Sequence, residues 1–169
     1  MITTHLPLTL TELGWDDHFE AQLQDESEVP FRVTKVHRSA LSILSKAGAE
    51  RIKLFDRGTA QYYAVGDWII PGTLAGDPPR ILDRKTIIRR RATGTENFAQ
   101  LIAANIDTVF IVSSCNHDFN LARLERYVAL ARAEDVLPVL LLTKADKVED
   151  AATYHTRAKE AFADVSILT

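Results

Sequence analysis

Pro138-Val139-Leu140-Leu141-Leu142-Thr143-Lys144-Ala145-Asp146 is an apolar run that stops on four loop residues. A run of this length bounded by polar residues predicts a buried parallel strand. In open α/β sheets, ligands gather beyond the carboxyl ends of such strands, which is where Thr143 to Asp146 fall. A carboxylate just past a lysine suits guanine, whose ring N–H and exocyclic amine lie side by side and can both be accepted by one carboxylate. Adenine offers no such pair. A charge-assisted, two-pronged contact of this kind discriminates bases by about 1–3 kcal/mol. The Lys144 stem can lie along the base face while its ammonium props the neighbouring loop. Short motifs also recur by chance, and on that reading Lys144 and Asp146 are simply solvated.

The flanking pattern is that of an α/β domain. Residues 107–113 form a near-continuous apolar strand, and Asn120 is placed to cap a helix whose stripe is Leu121, Leu124, Val128 and Ala131. Residues 138–143 make the next strand, 151–163 a second helix and 165–168 a third strand. Strand–helix–strand–helix–strand predicts a parallel sheet.

Upstream the period shortens. Apolar clusters at 31–36, 41–44, 51–55, 66–70 and 80–83 are separated by Ala47-Gly48-Ala49, Asp56-Arg57-Gly58, Pro71-Gly72 and Gly76-Asp77-Pro78-Pro79. Short strands at this spacing predict a small closed barrel, an OB-fold in the first instance and an SH3-like barrel in the second. The expected organisation is therefore a helical segment at 1–30, an OB-fold domain at 31–92 and an α/β domain at 93–169, opening after Thr93-Gly94-Thr95. In the first segment Trp15, Phe19 and Leu23 form the stripe of a short amphipathic helix, which docks on its own domain or on a partner.

The net charge of -3 conceals a segregation. Residues 1–30 hold seven acids and no Lys or Arg, residues 31–95 thirteen bases against five acids, and residues 96–169 seven bases against eleven acids. A basic middle between acidic flanks is the footprint of a polyanion-binding module. The candidate phosphate contacts are Lys35, Arg38, Arg51, Lys53, Arg57, Arg84, Lys85, Arg89, Arg90 and Arg91, with Arg32 nearby. Tyr62, Tyr63 and Trp68 are candidate stacking platforms, with core the preferred reading for Trp68.

Several classes of chemistry find no support. The single cysteine, Cys115, excludes an intramolecular disulfide and follows an apolar run, so a buried free thiol in a reducing compartment is expected. The five histidines show no ligand spacing, and no metal site is assigned. No apolar run approaches membrane-spanning length, so a cytoplasmic location and no membrane partner are expected. The phosphate-cradling pattern Gly-x-x-x-x-Gly-Lys-Ser/Thr is absent from the sequence, although a base reader is present.

Taken in order, the basic barrel with Val65-Gly66-Asp67-Trp68, the stretch from Ala99-Gln100 through Asn105-Ile106-Asp107, Phe119-Asn120 through Arg126-Tyr127, and Thr143-Lys144-Ala145-Asp146 resemble one family. It is the ribosome small-subunit-dependent GTPase A (RsgA/YjeQ) family of circularly permuted GTPases. The resemblance implies that the base reader precedes the phosphate loop, and that this chain is an N-terminal fragment unable to hydrolyse GTP alone. It implies a cytoplasmic, monomeric GTPase that binds the small (30S) ribosomal subunit and rRNA and acts late in subunit maturation. It further implies GTP or GDP with Mg2+ bound by residues beyond 169, and zinc in a C-terminal domain with no counterpart here. Guanine contacts carry over to Thr143, Lys144, Ala145 and Asp146, with Thr143 standing where asparagine is commoner. Gln100 and Asn105 would brace the interdomain junction. The alternative expectation is a non-catalytic rRNA-binding OB module with an α/β appendage.

Overall fold

The computed structural model describes residues 9–56, 58–72, 74, 76–91 and 99–169, with backbone alone at 90, 91 and 99. The chain divides into two compact units, Met1–Asn105 and Ile106–Thr169. The sequence boundary anticipated at 92/93, with Thr93-Gly94-Thr95, lies outside the described residues.

The first unit is built on a five-stranded antiparallel sheet of β1 (Phe31–His37), β2 (Ala40–Ser45), β3 (Gly48–Lys53), β4 (Trp68–Ile70) and β5 (Arg80–Ile81), in the order β3-β2-β1-β4-β5. β1, β2 and β3 form a meander, and β1 pairs with β4 on its other side. Among the described residues β3 and β5 are the sheet's edges. Third in this group, β3 begins three residues earlier than the pattern suggested. The Lys46-Ala47 turn leads directly into Gly48 at φ 116°, a conformation that only glycine adopts readily. Val33, Leu41, Ile43, Leu54, Tyr63 and Ile69 fill the space inside the sheet.

The acidic N-terminal segment docks on this unit. Its regular helix, α1, is a single turn, Asp17–Glu20, capped by Asp16. Trp15, Phe19 and Leu23 nevertheless face one way, packing with Trp68, Ile70 and Leu82. The Trp15 ring meets Trp68 edge-on at 4.8 Å. Docking on its own domain thus accounts for the stripe.

A hairpin of β6 (Ile87–Arg91) and β7 (Ala99–Ala104) completes the first unit, and the pattern did not announce it. Ile87 and Ile88 are buried, and the Ala104 N–H donates to the Val65 carbonyl at 2.8 Å. That approach leaves no room beside Gly66 (φ 92°), where a Cβ would stand 2.0 Å from the Ala104 oxygen. Asn105, only 7 % exposed and left-handed at φ 54°, ends the unit. Its Oδ1 accepts from the Lys85 N–H (2.8 Å), its Nδ2 donates to the Gly66 carbonyl (3.1 Å) and its carbonyl accepts from Arg32 (2.7 Å). Asn105 therefore braces the inside of the first unit.

The second unit is a three-stranded parallel sheet, ordered β10-β9-β8, of β8 (Thr108–Ser114), β9 (Leu137–Thr143) and β10 (Ser166–Leu168). Helix α2 (Leu121–Ala133) starts where Asn120 Oδ1 accepts the Arg123 N–H at 2.9 Å, and α3 (Ala151–Ala161) where Asp150 caps Thr153. Leu124 and Val128 of α2 and Ala158 of α3 pack with Ile111, Leu140 and Leu142, so both helices cover the same sheet face. On the other face Phe110 and Val112 are each 59 % exposed and Leu137 and Leu168 are also open, while Val139 is buried. Among the described residues strand β8 is an edge of this sheet, and it carries no Lys or Pro to protect it, the kind of surface that invites pairing with another chain.

Two outcomes follow from these contacts. In urea unfolding, Asn105→Ala should cost about 2–4 kcal/mol, from left-handed strain and buried groups left without partners. Asn105→Gly should cost about 1 kcal/mol less; equal losses would remove the strain from the account. Val112→Lys should reduce light scattering by the 169-residue chain at unchanged helicity, and unchanged scattering would show that β8 does not drive association.

Candidate functional site

Two surfaces carry chemistry, one in each unit. The first lies at the carboxyl ends of the parallel strands. Thr143 closes β9, its hydroxyl donating to the Ser113 carbonyl on β8 at 3.3 Å and its own carbonyl accepting the Cys115 N–H at 2.8 Å. A threonine thus braces the loop by tying it sideways to the neighbouring strand. Lys144 then turns left-handed (φ 60°, ψ 29°), and Ala145–Lys147 form one 3-10 turn closed by the Lys147 N–H on the Lys144 carbonyl at 3.0 Å. For a non-glycine residue this conformation costs about 1–2 kcal/mol, a strain found where a loop is shaped for a ligand. The Asp146 side chain is 71 % exposed, and its Oδ2 lies 3.1 Å from Lys147 Nζ. The carboxylate is open to solvent on all but its Lys147 side. Lys144 is exposed beside it.

The loop after β8 lies alongside. Asn116 Oδ1 accepts from Ser114 Oγ and from the Asp118 N–H, both at 2.9 Å. Phe119 meets Tyr154 of α3 edge-on at 5.3 Å, and the Arg157 guanidinium lies 5.2 Å from its ring. The Phe119 contacts fix the loop after β8 to α3. Cys115 is buried and free, and burial pushes its thiol up from the ordinary cysteine range. The concavity lined by Arg132, Leu137, Pro138 and Asp164 is at the opposite, amino end of the strands.

The second surface is the outer side of β1, β2 and β3. Cross-strand register places Lys35, Ser42 and Arg51 in one row and His37, Ala40 and Lys53 in the next. His37 Nε2 meets Ser42 Oγ at 2.9 Å, linking the rows. Desolvation, then the charges of Arg51 and Lys35, hold the His37 imidazole below the ordinary histidine range, as expected on a face of uncompensated positive charge. Among the described residues Lys35, Arg38, Arg51 and Lys53 make no ion pair. Arg38 is exposed in the turn between β1 and β2.

The remaining basic candidates are not gathered there. Arg84 grips the fully buried Asp67 with Nε and Nη2, each at 2.7 Å, and this bond raises its pKa. It is a structural cation rather than a free phosphate contact. Lys85 pairs with Asp16 and sits 5.3 Å over the Phe19 ring, holding the N-terminal segment. Arg89 is exposed on β6, the side chains of Arg90 and Arg91 are not described, and Arg57 lies outside the described residues. Of the aromatic candidates, Trp68 and Tyr63 are core, and the Tyr63 hydroxyl donates to the Pro79 carbonyl at 2.8 Å. Tyr62 is exposed, as is Phe55, which the sequence reading passed over.

No group of three or more His, Cys, Asp or Glu side chains among the described residues could hold a metal ion. No helix among them is long and apolar enough to cross a membrane.

Comparison with known proteins bears on the family and the fold. The chain is 45 % identical over 163 residues to the small ribosomal subunit biogenesis GTPase RsgA of Mesorhizobium japonicum, covering 95 % of this chain and 47 % of that protein. It thus spans about half the length of the curated relatives it matches. Its fold resembles the crystal structure of YjeQ from Thermotoga maritima at 17 % identity, with a TM-score of 0.57 over 83 % of this chain and 50 % of that one. It also resembles YloQ, described as a circularly permuted GTPase, at 18 % identity, with a TM-score of 0.54 over 86 % of this chain and 52 % of that one. Residues 81–168, more than half the chain, match the family model RsgA GTPase. By that match the chain belongs to the RsgA GTPase family.

Proposed function

We propose that this chain forms the base-reading and RNA-contacting half of a cytoplasmic, monomeric GTP-hydrolysing factor that acts on the small ribosomal subunit. The observation that carries the proposal is the exposed Asp146 carboxylate, presented beyond β9 by the left-handed Lys144. Guanine's ring N–H and amine would be accepted by Asp146, the Lys144 stem would cover the base face, and Thr143 would hold the loop against β8. The relatives' names add GTP hydrolysis and the small subunit.

The sequence lacks the phosphate-cradling pattern, and among the described residues no group of three or more His, Cys, Asp or Glu could hold a metal ion, so turnover is assigned to the rest of a full-length protein. Zinc, implied for a further domain, likewise finds no donor set among the described residues. The first unit supplies the rRNA contact through Lys35, Arg38, Arg51 and Lys53. A β1 strand shared between the meander and β4 is also the pairing used by OB-type barrels, which supports reading this unit as one.

In a protein of the relatives' full length, Asp146→Asn should weaken guanosine nucleotide binding by about 10–100-fold, measured by calorimetry. It should leave RNA affinity nearly unchanged. The same variant should gain affinity for xanthosine nucleotides, whose C2 carbonyl accepts from the new amide; loss without that gain would mark Asp146 as structural only. The 169-residue chain alone should release no phosphate from GTP, and measurable turnover by it would overturn the division of labour proposed here.

A further inference from the structure

We infer that the outer face of β1–β2–β3 takes an unpaired stretch of RNA, with phosphates on Lys35, Arg51 and Lys53 and a base stacked on Phe55. The inference rests on the RNA-contact reading above and adds which form of RNA is recognised. Along β3 the side chains alternate outward and inward, Arg51 and Lys53 out, Ile52 and Leu54 in. The Leu54 N–H still bonds the Ser39 carbonyl at 2.9 Å, so strand geometry continues past Lys53. Phe55 is therefore the next outward residue, and it is 73 % exposed.

An exposed phenylalanine at the end of a cationic row is not explained by packing. Trp15, Phe19, Tyr63 and Trp68 of this unit are buried and cannot stack on a ligand. On β3, successive outward residues stand about 7 Å apart. Arg51, Lys53 and Phe55 thus form a short track with charge first and a flat apolar ring last. A single strand offers both partners for such a track, a phosphate chain and unstacked bases. A duplex offers the phosphates but keeps its bases inside, and an acidic peptide offers charge with nothing to stack.

Fluorescence anisotropy with a short oligouridine and with an RNA duplex of the same length tests this. Phe55→Ala should weaken oligouridine binding by about ten-fold, leave duplex binding unchanged and leave the salt slope unchanged, since no phosphate contact is lost. Phe55→Trp should restore binding. The double variant Lys35→Gln, Arg51→Gln should flatten the salt slope for both ligands by roughly one to two. If Phe55→Ala costs nothing on the single strand, or costs the same on the duplex, the stacking inference is overturned while the charged face stands. If the double variant leaves affinity and slope unaltered, the RNA contact at this face is overturned as well. These side chains are exposed, and unchanged melting temperatures will confirm that neither result reports unfolding.

Discussion

The first unit depends on one buried polar node. Arg32 reaches the Leu13 carbonyl with Nη1 at 2.6 Å and the Asn105 carbonyl with Nη2 at 2.7 Å, while its guanidinium lies 5.5 Å from the Trp68 ring. Asn105 in turn satisfies the Gly66 carbonyl and the Lys85 N–H. The N-terminal segment, the meander, the tight turn at Gly66 and the start of the β6–β7 hairpin therefore share one set of hydrogen bonds. Buried polar groups in such a set are costly if any partner is missing, so they specify one arrangement more sharply than apolar packing does. The neighbouring Asp67–Arg84 pair works similarly: the carboxylate is fully buried, and its second oxygen also accepts the Ala64 N–H at 2.7 Å. The acidic N-terminal residues are not a free tail either, because Asp16 and Glu28 are matched by Lys85 and Arg80.

This pairing reshapes the charge distribution that the sequence displays. Arg80, Arg84 and Lys85 neutralise Glu28, Asp67 and Asp16, whereas among the described residues Lys35, Arg51 and Lys53 make no ion pair on one face of three strands. Part of the basic region is thus spent on ion pairs inside the first unit. Sequence alone counts charges; the fold decides which of them face solvent without a partner.

How much could be read in advance follows from the range of each interaction. The parallel strands, the Asn120 cap and the Thr143–Asp146 loop are set by local runs and by residues a few positions apart, and they appear where the pattern puts them. Trp68 is core, as its strand context suggests. The Arg84–Asp67 pair could not be foreseen because the two residues are 17 positions apart. The β6–β7 hairpin stayed hidden because Ile87-Ile88-Arg89-Arg90-Arg91 does not alternate and its alanine-rich partner has little strand preference. Phe55 left no signal, since an exposed aromatic residue breaks no period. Nor could the Thr143–Ser113 brace or the left-handed Lys144 be foreseen, because both depend on where β8 lies beside β9.

Cys115 has a consequence beyond packing. Its side chain is fully buried, its thiol is pushed away from the reactive thiolate, and its own N–H is one of the two ties that hold Thr143 to the next strand. A thiol-specific reagent cannot reach that sulfur while the tie is closed. The rate at which such a reagent labels this lone cysteine is therefore a clock for how often the Thr143–Asp146 loop lets go of its sheet.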